Sequence, residues 1–363
     1  MASLKNKYIS SGFNYLNLAI EQAKKNIGST GLNPSVGCVV EKNGSIISSG
    51  ATDFRGSQHA EYNALNKNIN FKDAKLYVSM LPCSHYGNTP PCTNIIIRKK
   101  IKVVIFSFND PNNKSIFKTK DILINNNIKI KKKIASKVNN NFYKSYILQH
   151  SKSLPLIDAK IALTNDNYSS INNIKWITNI YSRKRVHLLR TKYNCLITTS
   201  KTVNQDDATL NCRIKGLENK SPDVFIVDRN LRIKNDLKIF KNILPRKIFV
   251  ITTSKNQKKI NLLKKKKIKI ILLDSLNNKD DFKLLFMNIK KNYSRIFVET
   301  GLKFLNFLLK NNLVNNMYIF KSSSNAGKKG MLKTNNKILC KQKKSDKLNL
   351  NLFGDQMYKV KIK

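Results

Sequence analysis

The sequence predicts an α/β protein of two domains, and three observations support this. The chain has 363 residues, which is more than one core of ordinary size accommodates. Short apolar runs alternate with amphipathic stretches along most of its length, as in a β-sheet covered by helices. A polar segment at 137–154, followed by Pro155, interrupts the alternation. We therefore expect one domain over residues 1–150 and a second over residues 151–363.

In the first domain the order of elements is that of a three-layer α/β sandwich: two strands, then helix, strand, helix and strand. Asn43-Gly44 separates the first two strands and is a strong hairpin signal. Expected strands lie at 36–40, 46–48, 75–79 and 102–108, expected helices at 16–27, 59–67 and 93–99, and a further helix and strand within 122–134.

The second domain continues the alternation with new apolar runs of strand length, which predicts a second α/β sheet. Expected strands lie at 158–164, 195–199, 224–228, 247–252, 268–273 and 295–299, and expected helices at 180–193, 258–266, 281–291 and 302–310. No internal repeat is visible in either half.

The formal net charge of +47 is extreme and has two interpretations. One is binding to nucleic acid or another polyanion. The other is compositional drift, because lysine, asparagine and isoleucine recur throughout the chain, in loops and turns as well. Lysine runs such as 131–133 and 264–267 have the character of solvated faces, so we favour drift. A positive field would still attract a phosphorylated substrate.

Targeting and membrane signals are missing from the sequence pattern. No apolar run reaches the roughly 18 residues that a membrane-spanning helix needs. Residues 1–11 hold no apolar signal core, so we expect a cytoplasmic protein without a membrane partner. The six scattered cysteines do not suggest a disulfide framework in such a chain. Cys38 and Cys195 lie in apolar runs and are expected to be buried.

A metal site is predicted by His59, Cys83 and Cys92. One imidazole and two thiolates can hold a zinc ion whose fourth position stays open to water. Cys92 immediately precedes an apolar helical stretch, and a helix N-terminus stabilises a thiolate. Glu61 is expected to move protons between water and substrate rather than to bind the metal. His-x-Glu followed by Pro-Cys and a second Cys resembles the pattern of zinc-dependent deaminases, although the two cysteines here lie much further apart.

A purely structural zinc is the alternative interpretation of these residues. Such a site requires a fourth ligand, for which His85 is the candidate. We expect His85 to contact substrate instead, because the carboxylate of Glu61 has no purpose beside a structural metal.

Residues 81–92 (LPCSHYGNTPPC) resemble the zinc loop of the bifunctional deaminase–reductases of riboflavin biosynthesis. The long spacing between the cysteines and the Thr-Pro-Pro-Cys ending separate that family from cytidine, guanine and tRNA-adenosine deaminases. Further segments similar to the family are 33–40 (NPSVGCVV) and 109–112 (NDPN) in the first half, and 175–178 (KWIT), 187–190 (HLLR), 198–210 (TTSKTVNQDDATL) and 298–301 (VETG) in the second.

The resemblance covers roughly residues 12–330 and implies two consecutive reactions. The first is zinc-dependent hydrolytic deamination of 2,5-diamino-6-(5-phosphoribosylamino)pyrimidin-4(3H)-one. The second reduces the ribosyl group of the product to a ribityl chain with NADPH. The implied folds are a cytidine-deaminase-like three-layer sandwich and a dihydrofolate-reductase-like α/β domain, and the implied assembly is a homo-oligomer.

The resemblance also implies roles for single residues, and the chemistry of the side chains suits these roles. Asparagine matches the donors and acceptors of a pyrimidine edge, and arginine matches a phosphate. An exposed helix N-terminus attracts the phosphates of a dinucleotide. Substrate contacts are expected from Asn33, His85, Arg190, Leu210, Arg213 and Glu299, and cofactor contacts from Trp176, Thr202, Asp206 and Gly301. The resemblance does not identify the proton donor of the reduction, for which Lys160, on the strand entering the second domain, is a candidate.

The sequence departs from the family pattern at several positions. Leu81, Asn88, Thr52, Ile174 and Thr300 stand where the family usually has Glu, a basic residue, His, Ser and Gly. The usual Ser-Leu-Asp-Gly turn early in the reductase reads Thr-Asn-Asp-Asn at 164–167. None of these changes removes a predicted zinc ligand or the predicted proton shuttle, but they bear on substrate affinity and on reductase efficiency.

Two other functions remain open at this point. A zinc-dependent nucleic-acid deaminase, acting on tRNA and carrying a basic appended domain, would account for the charge. The Thr-Pro-Pro-Cys loop and the reductase-like half favour the riboflavin enzyme over it. A non-catalytic polyanion-binding protein that keeps zinc for folding would have no need of Glu61.

Overall fold

The computed structural model describes residues 11–87, 89–111, 116–133, 141–241 and 245–363. The chain forms two compact units, Met1–Ser153 and Leu154–Lys363. The division falls within the polar segment that interrupts the sequence pattern at 137–154.

Unit 1 is built on a five-stranded sheet with the order β2-β1-β3-β4-β5. Its elements are α1 (Ser11–Lys24), β1 (Gly37–Lys42), β2 (Ser45–Ala51), α2 (Ala60–Leu65), β3 (Lys75–Met80), α3 (Cys92–Arg98), β4 (Val103–Phe108), α4 (Ile116–Asn125), β5 (Lys129–Lys132) and α5 (Lys144–Gln149). β1 runs antiparallel to both of its neighbours, whereas β3, β4 and β5 are parallel. Asn43 and Gly44 both have positive φ, as the predicted tight hairpin requires.

Helices cover both faces of this sheet, which confirms the three-layer sandwich. Successive residues of a strand point to opposite faces. Val39 packs with Leu16 and Ile20 of α1, whereas Cys38 and Val40 on either side of it pack with the alanines of α2. The expected burial of Cys38 is confirmed, since none of its surface is exposed.

Two glycines let the covering helices approach the backbone of the sheet. A Cβ atom at Gly37 would lie 1.9 Å from the carbonyl oxygen of Ala19 in α1. A Cβ atom at Gly50 would lie 2.4 Å from the carbonyl oxygen of Ala60 in α2. Because no side chain fits at these distances, both helices can lie against the strands only while these positions are glycine.

Unit 2 contains an eight-stranded sheet with the order β10-β9-β8-β7-β11-β6-β12-β13, parallel except for β13. Its elements are β6 (Leu156–Leu163), α6 (Ile180–Arg190), β7 (Cys195–Thr199), α7 (Ser200–Asp206), β8 (Asp223–Val227), β9 (Ile248–Thr252), α8 (Gln257–Lys265), β10 (Lys269–Leu272), α9 (Lys279–Lys290), β11 (Arg295–Glu299), α10 (Leu302–Lys310), β12 (Asn316–Lys321), α11 (Lys337–Cys340) and β13 (Gln356–Lys361). Apolar clusters cover the two sides of its central strands, so neighbouring residues of β7 such as Leu196 and Ile197 belong to different cores.

Several elements of unit 2 have no counterpart among the sequence predictions. α7 is polar, and it begins where β7 ends, with the Thr199 side chain accepting the N–H of Thr202 as an N-cap. β12, β13 and the single-turn helix α11 lie in a stretch rich in lysine and asparagine, where the sequence analysis expected no element.

The surface agrees with the interpretation of the lysine runs. The lysines at 131–133 are exposed, and so are those at 264–267 apart from the half-buried Lys266. Within the described ranges, no helix is long and apolar enough to cross a membrane.

Candidate active sites

Three side chains from different segments of unit 1 converge. His59 directly precedes α2, Cys83 follows β3, and Cys92 is the first residue of α3. The Nδ1 atom of His59 lies 3.3 Å from the Sγ atom of Cys92 and 3.5 Å from that of Cys83. The three potential ligand atoms all lie within 4.8 Å of one another. The structure thus brings together the residues that the sequence predicts as metal ligands.

The geometry of this cluster fits zinc. Zn–N and Zn–S bonds of about 2.1 and 2.3 Å at tetrahedral angles place nitrogen and sulfur about 3.6 Å apart, close to the observed distances. Imidazole and thiolate are ligands that zinc prefers. Among the residues that the structure describes, no fourth His, Cys, Asp or Glu joins the cluster, and His85 is exposed outside it. This arrangement matches a catalytic zinc with one open position better than a closed structural site.

The ionisable groups of the cluster shift one another's pKa values. A hydrogen bond with Cys92 lowers the pKa of the Cys83 thiol, and the backbone N–H of Cys92 also donates to the Cys83 sulfur over 3.4 Å. The hydrogen bond with Cys83 raises the pKa of His59. Burial raises the pKa of Glu61 to about 6, and its carboxyl group contacts Cys92. A carboxyl group whose pKa lies close to neutral pH, beside the predicted metal ligands, is suited to proton transfer.

The surroundings of the cluster account for some of the departures in sequence. The Asn33 side chain donates to the Gly56 carbonyl over 3.1 Å, in the loop that leads to His59. Thr52 is buried, and its hydroxyl accepts the Val36 N–H at 3.0 Å, so it closes the β1–β2 hairpin. Leu81 is buried in the core, whereas Asn88 lies outside the described residues.

In unit 2, two of the expected substrate contacts bind each other. The Arg190 guanidinium donates from Nε and Nη2 to the two carboxylate oxygens of Glu299, at 2.6 and 2.9 Å. Both side chains are buried, and this bidentate pairing leaves only one edge of the guanidinium for other partners. Burial raises the pKa of Glu299, but Arg190 and Lys160 outweigh it and lower that pKa overall.

Buried arginine side chains hold the loop at 209–213 by hydrogen bonds to its backbone carbonyl groups. Leu210, an expected substrate contact, is buried with a φ of 53°. The buried Arg246 guanidinium donates to the carbonyl groups of Thr209 and Leu210, and Arg190 donates to the carbonyl of Asn211 at 2.8 Å. Sequence reasoning missed Arg246, because an arginine in a lysine-rich turn gives no signal of its burial.

Two of the expected cofactor contacts, Thr202 and Gly301, lie just after the carboxyl ends of β7 and β11. The backbone N–H of Gly301 donates to the Thr202 hydroxyl over 3.2 Å, so the start of α10 lies against α7. Asp206 ends α7, and burial raises its pKa. Trp176 is 53% exposed, with the Arg183 guanidinium stacked 4.9 Å from its ring. Ligands of parallel sheets bind at this end of the strands.

A cavity of about 350 Å³ opens at the same end of the sheet. Its lining combines three aromatic side chains of α9 and α10 with a set of basic residues. The lining includes Phe282, Phe304 and Phe307 on one side and Lys201, Arg229 and Arg232 on another. The basic residues were missed in the sequence, although Asp228-Arg229-Asn230 directly follows an apolar strand, which is where ligand contacts concentrate in such sheets.

Two family models match the chain, one in each unit. Residues 11–108 match the zinc-binding region of cytidine and deoxycytidylate deaminases. Residues 155–353 match the RibD C-terminal domain, which is more than half of the chain.

Curated proteins resemble the chain over most of its length. The riboflavin biosynthesis protein RibD of Aquifex aeolicus is 34% identical over 314 residues, which are 85% of each chain. RibD of Buchnera aphidicola is 29% identical over 323 residues, covering 84% of this chain and 85% of that protein.

Solved structures of the same family have the same fold. RibD of Acinetobacter baumannii is 25% identical, with a TM-score of 0.81 over 97% of this chain and 99% of its own. A diaminohydroxyphosphoribosylaminopyrimidine deaminase/5-amino-6-(5-phosphoribosylamino)uracil reductase of Thermotoga maritima is 25% identical, with a TM-score of 0.79 over 97% and 98%. The chain therefore belongs to the RibD family of bifunctional riboflavin biosynthesis proteins, which join a zinc-binding deaminase domain to a reductase domain of the NADPH-using type.

Proposed function

We propose that each unit performs one of two consecutive reactions on the same phosphorylated pyrimidine. Unit 1 removes the amino group of 2,5-diamino-6-(5-phosphoribosylamino)pyrimidin-4(3H)-one by hydrolysis. Unit 2 then reduces the ribosyl group of the product to ribityl. The observation that supports this most strongly is the convergence of His59, Cys83 and Cys92 beside the buried carboxyl group of Glu61.

For the deamination, His59, Cys83 and Cys92 would hold the zinc ion. When bound there, a zinc ion would supply the Lewis acidity that activates water for attack on the carbon that bears the amino group. Glu61 accepts the first proton of the attacking water and passes it to a ring nitrogen as the C–O bond forms. It then takes the second proton from the hydroxyl group on that carbon and passes it to the amino group, which leaves as ammonia as the C–N bond breaks. Burial keeps the pKa of Glu61 near 6, where both transfers are accessible at neutral pH.

Substrate recognition in unit 1 is assigned to side chains around this cluster. Asn33 is oriented by its bond to Gly56 O and offers its amide to the pyrimidine edge. His85 is exposed next to Cys83 and is placed to contact the substrate near the metal ligands.

For the reduction, bound NADPH supplies a hydride, and the protein must position the ribosyl group and provide a proton. Arg190, Arg213, Leu210 and Glu299 are the proposed substrate contacts. Lys160 is the proposed proton donor, because burial lowers its pKa and Glu299 lies close enough to interact with its charge.

Trp176, Thr202, Asp206 and Gly301 are the proposed cofactor contacts around α7 and α10. The cavity beside them suits the adenosine end of the cofactor. Phenylalanine rings offer stacking surface to adenine, and Arg229 with Arg232 offers donors to a phosphate on the adenosine ribose. The additional phosphate on the 2′-hydroxyl of this ribose distinguishes NADPH from NADH, so a basic lining at this position favours NADPH.

A coupled assay tests the proposal. The diaminopyrimidine ribosylphosphate is supplied with zinc and NADPH, and ammonia release and NADPH oxidation are followed together. NADPH oxidation is expected only after ammonia appears. Ammonia without NADPH oxidation would limit the proposal to unit 1, and deamination of a tRNA oligomer instead of the free pyrimidine would replace it with the nucleic-acid alternative.

The partner is then a small phosphorylated pyrimidine rather than nucleic acid. The cytoplasmic location and the homo-oligomeric state stay predictions, which cell fractionation and sedimentation would check.

A further inference from the structure

His187 in unit 2 lies between two arginines and was given no role above. It is on α6, one turn before Arg190, and only 8% of its surface is exposed. Its Nδ1 atom lies 2.9 Å from the carbonyl oxygen of Asn211, and its Nε2 atom lies 3.3 Å from Nη2 of Arg213. Both contacts are with the 209–213 loop, which also holds Leu210.

These two contacts, weighed against a third from Nδ1 to Nη1 of Arg190 at 3.3 Å, indicate which nitrogen of His187 has the proton. With the proton on Nδ1, His187 donates to the Asn211 carbonyl over 2.9 Å, and Nε2 keeps a lone pair that accepts from Arg213. With the proton on Nε2, only the longer contact with Arg190 could form, and Nη1 of Arg190 already donates to the Asn211 carbonyl at 2.8 Å. His187 is therefore neutral, in the Nδ1–H tautomer. Burial, together with the charge of Arg190, lowers its pKa to about 4, which agrees with this assignment.

Arg213 and Arg190 differ in whether a carboxylate neutralises the charge of the guanidinium. The Arg190 guanidinium is neutralised by the bidentate contact with Glu299. Arg213 is exposed, and within the described parts of the chain no carboxylate pairs with it. A neutral imidazole orients Arg213 without cancelling its charge, which an aspartate or glutamate in the same place would do.

We propose that His187 is a positioning residue that holds the Arg213 guanidinium ready for the phosphate group of the reductase substrate. This inference rests on the proposed function of unit 2 and adds to it a residue that does not itself touch the substrate. Arg190 then serves the ribosyl group through its pair with Glu299, and Arg213 supplies the charge for the phosphate.

Two substitutions separate the two contacts of His187. Asparagine in H187N reaches the Asn211 carbonyl but is too short to accept from Arg213. Glutamine in H187Q places its amide oxygen near the Nε2 position and keeps the bond to Arg213. The probe is D-ribose 5-phosphate, with D-ribose as its phosphate-free control, titrated into the full chain by calorimetry. Thermal unfolding of each variant checks that the fold is intact.

R213A is expected to weaken binding of ribose 5-phosphate about 30-fold and H187N about 10-fold, whereas H187Q stays within about 3-fold of wild type. In the R213A background, H187N should add nothing, because its effect passes through Arg213. Binding of ribose should change little in any variant. On the unmodified protein, nitrogen NMR shifts should report an unprotonated Nε2 at His187.

The proposal is overturned if H187N binds ribose 5-phosphate as wild type does, or if its effect persists undiminished beside R213A. A protonated Nε2 in the NMR measurement would also overturn it, even if the variants fail to fold. Normal affinity in R213A would show that the phosphate lies elsewhere. Failure of the proposed function is a separate result, since it appears as missing turnover of wild type in the coupled assay.

Discussion

The metal cluster of unit 1 and the basic cluster of unit 2 are two ways of building a site. In unit 1, the three predicted ligands, spread over 33 positions of sequence from His59 to Cys92, meet around one point. In unit 2, the pair of Arg190 and Glu299 joins residues 109 positions apart, and several cations share the contacts of one loop. A convergent site should fail completely on losing one group, whereas a distributed site should weaken by degrees.

The largest effect is expected from removing the proposed proton shuttle of unit 1, Glu61. E61Q should lower ammonia release by about 1,000-fold, because an amide cannot transfer the proton, while zinc content stays at one ion per chain. E21Q, on the exposed face of α1, is the matched control and should retain full activity. Deamination by E61Q within tenfold of wild type would contradict the proposed role of Glu61 and the expectation that the site of unit 1 fails on losing one group.

Removal of one metal ligand should be nearly as severe. C83S is expected to lower zinc affinity by more than about 100-fold, measured as metal per chain after dialysis, with loss of deamination. Reduction of supplied deaminated substrate by unit 2 should persist. C340S is the control, because a serine hydroxyl there can keep the bond that the thiol donates to Thr334 O. Retention of zinc by C83S would contradict the assigned ligand set.

A substitution in the cavity of unit 2 should give a graded effect. R229A is expected to raise the KM for NADPH about tenfold and to leave the KM for NADH unchanged. The variant loses one charge-assisted contact to the 2′-phosphate of the adenosine ribose, which NADH lacks. Binding of each dinucleotide, followed by fluorescence, checks this without turnover. K258A, on the exposed side of α8, is the control. Equal weakening for both cofactors would argue that Arg229 supports the fold instead.

The smallest effect concerns a residue that supports the convergent site from outside. T52V keeps the shape of Thr52 but leaves the buried Val36 N–H without its acceptor, which costs about 1–2 kcal/mol of unfolding free energy. Chemical denaturation measures this loss. T253V removes a more exposed hydroxyl bond of similar length and should cost less. An equal loss of unfolding free energy in both variants would mean that the buried hydrogen bond at Thr52 stabilises the protein no more than the exposed one at Thr253.

The same contrast explains what the sequence revealed. His59, Cys83, Cys92 and Glu61 could be predicted as one cluster from residue type and order, because few side chains bind zinc, and the structure brings them together. The sheet of unit 1 and most strands of unit 2 could be predicted, since buried strands are short apolar runs between turns. The boundaries of β7, β11 and α10 were predicted to the residue.

What the sequence did not reveal depends on distant partners. Nothing in the local pattern distinguishes the buried Arg246 from a solvated lysine, because its partners Thr209 and Leu210 are more than 35 residues away. The neutral tautomer of His187 likewise depends on contacts made by Asn211 and Arg213. The strand β12 was missed although its four central residues form a buried apolar run, and β13 was missed because its lysines leave only short apolar segments between them.

The close approach of α2 to β2 limits how far the composition of this chain can change. Lysine, asparagine and isoleucine occupy many loops, edges and helix faces, yet position 50 admits only hydrogen as a side chain, because the Ala60 carbonyl oxygen would lie 2.4 Å from any Cβ. The helix pressed against it begins one residue after His59 and contains Glu61. A methyl group at position 50 would therefore displace the His59 imidazole and the Glu61 carboxylate together. The missing side chain of Gly50 thus maintains the geometry of the predicted metal cluster.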